Sequence, residues 1–119
     1  MLVSPHITAG AALGAAIGNP LIVVPVALAS HFILDTVPHW QETLAPYTPT
    51  KKTFIRIPID FAIGAVVIWI ALLARPEHAV AILLGALFAS AADLDVIVIT
   101  YPKLKKGLLH KYWDWHCAI

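Results

Sequence analysis

His31, Asp35 and His39 recur at intervals of four inside the stretch SHFILDTVPHW, Ser30 to Trp40, in an otherwise apolar segment. On a helix that spacing puts all three side chains on one slowly drifting face. Two imidazoles and a carboxylate on one face form an edge that can bind a divalent metal ion. Pro38 can end the helix before His39 and swing that ring sideways, so His31 and Asp35 are the core of the pattern.

Other residues of the same chemical types are spread along the chain: His6, Asp60, Asp93 and Asp95 in ADLD, and His110, Asp114 and His116 near the end. Asp93 and Asp95 lie about 200° apart on an ideal helix, so both reach one centre only where the helix end unwinds. One of the two is expected as a ligand. Each residue also has a plainer reading. His6 or His116 alone would be a solvated imidazole, Asp60 an ion-pair partner of Arg56 one turn earlier, and Asp114 a surface acid beside Lys111. His78 reads as a loop residue. Lys103 to Lys106 read as a lipid-headgroup anchor.

The elements that must position these residues belong to a membrane protein. The chain has 119 residues, of which 60% are hydrophobic and 13% charged, with mean hydropathy +0.82, well outside the range of ordinary soluble domains. A net charge of +1 gives no argument for nucleic acid, and there is no nucleotide-binding loop. A single cysteine, Cys117, excludes an internal disulfide. No Lys or Arg precedes the first apolar run, and Gly18-Asn19-Pro20 interrupts it, so that run is expected to be retained as structure and not cleaved as a leader.

The pattern predicts one domain over residues 1–119, an all-α polytopic membrane bundle of two helical hairpins with an interfacial C-terminal helix. The helices are expected over residues 7–17, 21–37, 53–74 and 79–100, with an interfacial tail at 103–119. Gly10, Gly14 and Gly18 form a smooth stripe that lets a second helix approach closely. Gly18-Asn19-Pro20 supplies a stop, a turn and a restart. The first helix is short against a hydrocarbon core of roughly 30 Å, so this hairpin is expected either to cross or to re-enter. Were the Gly-Asn-Pro break only a kink, His6 would move to the opposite face.

Charge orients the bundle. Lys51, Lys52, Arg56, Lys103, Lys105, Lys106 and Lys111 flank one set of helix ends, and only Arg75 marks the other. The positive-inside rule makes the first set cytoplasmic, in a prokaryotic cytoplasmic membrane, with both termini on that side. Trp40, Tyr47, Tyr101, Tyr112, Trp113 and Trp115 gather at the same level as an aromatic belt. This topology, drawn from Lys and Arg alone, brings five of six histidines and five of seven acids into one layer. Buried ionisable groups in a bilayer persist where they are paired or functional, so the layer is read as a metal site. His and Asp ligands without a thiolate favour zinc, with manganese or iron as alternatives, and the donors suffice for more than one ion.

At these residues the sequence resembles the bacterial membrane-bound metal-dependent hydrolases, small polytopic proteins similar by motif to zinc-dependent phospholipase C. The resemblance rests on Pro5-His6 before a Gly/Ala-rich helix, on SHFILDTVPHW, on the acidic pair in ADLD, and on His110 with His116. It implies metal ligands among His6, His31, Asp35, His39, Asp60, Asp93, Asp95, His110 and His116. It implies hydrolysis of a membrane phosphoester such as a phospholipid, with Asp35, Asp60 and His110 in catalytic roles and the basic rim holding phosphate. Two other classes fit the same residues: a non-enzymatic metal-binding scaffold or metal-ion carrier, and a proton or ion pathway. The pathway is disfavoured because the apolar centres of the third and fourth helices carry no ionisable residue.

Overall fold

The computed structural model describes residues 3–37, 51–95 and 107–116. Among them all regular structure is helical: α1 (Val3–Ile17), α2 (Pro20–Asp35), α3 (Lys51–Ala74), α4 (Ala79–Ala91) and α5 (Leu108–His116), with 3-10 turns at Pro76–His78 and Ala92–Asp95. The first hairpin turns where local chemistry dictates. Gly18 takes a positive φ of 69°, a conformation that favours a residue without Cβ, and its N–H caps the carbonyl of Gly14 at 3.0 Å. Asn19 then accepts the Leu21 N–H at 3.0 Å, and Pro20 opens α2 at a position that needs no N–H donor.

Helix α1 is the centre of the bundle, packing against α2, α3 and α4. Its glycines set the distance to α4. A Cβ built on Gly10 would lie 2.1 Å from the Gly85 carbonyl oxygen, and one on Gly14 would lie 2.4 Å from that of Ala81. The two backbones therefore touch, as small-residue helix pairs do. The pairs Gly10 with Gly85 and Gly14 with Ala81 run in opposite senses, making α4 antiparallel to α1. Ser4 meets Asp60 and Ile7 meets Gly64, so α3 runs parallel to α1. The start of α1, the end of α2, the early turns of α3 and the end of α4 consequently share one end of the molecule.

At the other end His78 is half-buried, with its Nδ1–H donating to the Ala15 carbonyl at 2.7 Å and its ring filling the space beside Gly18. That residue fastens the α3–α4 connection to the α1–α2 turn. Nearby, Arg75 donates to Glu77 at 2.7 Å on the exposed surface.

The apolar surface faces outward. Within α3, Phe54–Ala74 is 21 residues long, about 31 Å at 1.5 Å per residue, and only 11% of its most apolar window is buried. It is the one helix among the described residues long and apolar enough to cross a membrane. Helices α1 and α2, with 15 and 16 residues, are shorter. The fourth segment is α-helical over Ala79–Ala91 and then tightens into the 3-10 turn Ala92–Asp95; the rest of the expected span, 96–100, lies outside the described residues.

Candidate metal centre

His6 and His31 are both fully buried and stack face to face, with ring centroids 4.1 Å apart and planes inclined by 29°. Asp35, one turn beyond His31 on α2, spans the stacked pair. Its Oδ1 lies 3.3 Å from His6 Nε2, and its Oδ2 lies 2.9 Å from His31 Nε2. From α5, His116 brings its Nε2 to 3.1 Å from both His31 Nε2 and Asp35 Oδ2. Asp93, in the 3-10 turn after α4, places Oδ1 3.9 Å from His31 Nε2. Four separate segments thus converge on one point.

The tautomer of His31 follows from its other nitrogen. Nδ1 lies 2.7 Å from the carbonyl oxygen of Ala89. A carbonyl only accepts, so Nδ1 carries the proton and a neutral His31 presents the Nε2 lone pair. That lone pair points at a carboxylate oxygen and at another imidazole nitrogen. The meeting is relieved in one of two ways, by an Nε2–H of His116 donating into the pair or by a metal ion that all three atoms face. Two buried oxygens, Asp35 Oδ1 and Asp93 Oδ2, accept no hydrogen bond among the described residues, so the cluster has more acceptor capacity than one proton satisfies.

The spacing suits a metal. In a tetrahedral zinc site with ligand distances of about 2.1 Å, neighbouring donors lie about 3.4 Å apart; here the separations run from 2.9 to 3.9 Å. Two groups of three have donor atoms within 4.8 Å of one another: His6, His31 and Asp93, and His31, Asp35 and His116. Both contain His31. Because its Nδ1 is held by Ala89, His31 has a single free lone pair and can serve only one ion, so a single ion uses one group at a time and the residues of the other border it.

The remaining candidates lie elsewhere. Asp60 is 5% exposed and turns to the start of α1, where it accepts from the N–H groups of Val3, at 2.7 Å, and Ser4, and from the Ser4 hydroxyl. His110 is on the exposed side of α5, 3.6 Å from Asp114. Neither belongs to a group of potential ligands among the described residues. His39 lies outside the described residues, and the side chain of Asp95 does too, although its backbone closes the 3-10 turn. That turn is the unwinding that a shared role for Asp93 and Asp95 would require.

Aromatic packing seats α5 over the site. Phe32 meets Trp115 at 5.3 Å between ring centroids and His116 at 5.8 Å, and the Tyr112 hydroxyl donates to the Ala92 carbonyl at 3.3 Å. Two contributors were invisible in the residue types. The Ala89 carbonyl is a backbone group, and the Ser4 hydroxyl is a common side chain with no spacing that ties it to Asp60. The one available signal was the small residue at 89, which lets α4 come close enough for its carbonyl to reach an imidazole. Comparison of the chain with protein-family models, with curated proteins and with solved structures yields no match.

Proposed function

We propose that this chain is an integral protein of a prokaryotic cytoplasmic membrane that holds one divalent metal ion, zinc, at the cytoplasmic end of its helical bundle and hydrolyses a lipid phosphoester there. The observation that carries the reading is His31, whose Nδ1–H is tied to the Ala89 carbonyl while Nε2 faces Asp35 and His116. Orientation of a metal-binding histidine by a backbone carbonyl is what a metal site requires of its surroundings. The membrane setting is supported by large apolar side chains turned outward on α2, α3 and α4, among them Leu21, Ile33, Phe54, Trp69, Val80 and Leu87.

In this reading His6, His31, Asp35 and His116 hold the ion, which when bound would polarise a phosphoryl oxygen and lower the pKa of water. Asp93 sits at the margin, with its side chain 25% exposed and its Oδ1 farthest from His31 Nε2. It takes the proton from the attacking water as general base. Lys51 and Lys52 open α3 at the same end, exposed to solvent, where they attract phosphate headgroups. The test is release of phosphate monoester or headgroup from phospholipid in mixed micelles by metal-loaded protein. Turnover that disappears in Asp93→Asn while the metal is retained supports the reading.

A second reading, a metal-stabilised scaffold, is favoured by one observation. Five potential donors border His31 in two groups of three, enough protein ligands to close a site without an open position. Bound metal with no turnover on any lipid phosphoester would select it.

A further inference from the structure

We infer that Asp60 is a positioning residue of the metal centre, fastening the start of α1 so that His6 is held against His31. This rests on the metal reading above and adds a role for a carboxylate that the sequence offers as a ligand.

The first N–H groups of a helix have no partner within it, and the helix dipole favours negative charge there. Helix α1 has no acidic residue in its own first turn. Asp60, 56 residues away on α3, supplies the missing acceptor. Its Oδ2 accepts from Val3 at 2.7 Å and from Ser4 at 3.2 Å; its Oδ1 accepts from the Ser4 N–H at 3.3 Å and from the Ser4 hydroxyl. A carboxylate has about four lone-pair positions. Three donors of α1 face the Asp60 carboxylate, the Ser4 N–H being shared between its two oxygens, and Asp60 belongs to no group of potential metal ligands among the described residues.

His6 follows Ser4 by two residues, about 200° around the helix. Ser4 therefore faces α3 while His6 faces α2, where its ring stacks on His31 and its Nε2 meets Asp35. His6 lies in the first turn of α1, the part of a helix that frays most readily. Both its height along the helix axis and its rotation about that axis are fixed by the clamp on Val3 and Ser4. Next along the same interface, Ile7 packs where Gly64 leaves room. The α1–α3 contact is therefore a polar clamp followed by an apolar one, and His6 projects from the opposite side.

Cobalt(II) titration of the purified full chain in detergent, followed by its d–d absorption, reports both affinity and ligand set. Asp60→Asn should keep one ion per chain and weaken binding by about 10- to 100-fold, as loss of a group supporting a ligand does. Its cobalt spectrum should move toward that of His6→Ala, and Ser4→Ala should shift affinity in the same direction by less. The decisive comparison is the double variant. If Asp60 acts only through His6, Asp60→Asn changes affinity by less than about threefold in the His6→Ala background. A full additional loss there would make Asp60 a ligand or an independent element and overturn the inference, as would unchanged affinity in Asp60→Asn alone. Amide exchange at Val3 to Ile7 in the metal-free protein gives a separate readout: faster exchange in Asp60→Asn supports the clamp, and unchanged exchange refutes it. If the wild type binds neither cobalt nor zinc, the metal reading itself fails and this inference falls with it.

Discussion

Gly10→Ala sets helix propensity against packing, and the structure decides which prevails. Alanine in a helix interior is favoured over glycine by about 1 kcal/mol, so propensity alone makes the variant more stable. The new Cβ, however, would lie 2.1 Å from the Gly85 carbonyl oxygen, 2.5 Å from its carbon and 2.7 Å from the Ala89 Cβ. None of these is the end of a flexible side chain. Relief requires α1 and α4 to separate by about 1 Å, and a gap of that size forfeits roughly a quarter to a half of each dispersion contact across the interface. Overpacking of this kind costs about 1–3 kcal/mol, and here it falls on a backbone-to-backbone contact, so the net effect is expected to be a loss of about 2 kcal/mol. The displaced segment contains Ala89, whose carbonyl holds His31. Metal affinity should fall together with stability. Thermal unfolding in detergent, followed by helical circular dichroism, measures the first, and zinc competition with a chromophoric chelator measures the second. Gly64→Ala is the milder comparison, because the nearest atoms to its Cβ belong to the Ile7 side chain and not to backbone. A Gly10→Ala protein as stable as wild type, with unaltered metal affinity, would refute the close α1–α4 approach.

Asp35→Asn should lower metal affinity more than any single change at Asp93, because Asp35 contacts His6, His31 and His116 together; equilibrium dialysis against zinc separates the two. His110→Ala should leave metal content intact, since that ring pairs with Asp114 on the exposed side of α5, and a parallel lipid-hydrolysis assay shows whether it takes part in turnover. His78→Ala should destabilise the fold by about 1 kcal/mol, through loss of its hydrogen bond to Ala15, with no change in metal content; thermal unfolding beside elemental analysis checks both.

What could be read from the residues was whatever depended on local spacing. The interval from His31 to Asp35 gives a shared face on any helix, and in the structure the two side chains meet at 2.9 Å. The glycines four apart on α1 mark a surface of close approach, although nothing in the sequence names α4 as the partner. Long-range contacts were harder. His116 is 81 residues from Asp35, and only a topology drawn from the basic residues brings them to one end of the bundle. Asp60 could not be assigned from its neighbours, because its partners are two backbone N–H groups, which every non-proline residue carries, and one serine hydroxyl 56 positions away. His78 read as a loop residue because the counterpart of its ring is the absence of a side chain at Gly18, 60 positions earlier.

Elemental analysis of the purified, detergent-solubilised chain, wild type beside the double variant His31→Ala/Asp35→Ala, tests the metal centre most directly. The wild type should carry one zinc ion per chain, and the double variant, equally helical, should carry none. A wild type that takes up no zinc, manganese or iron after reconstitution would contradict the centre and leave His31 and Asp35 as a buried, proton-bridged ion pair.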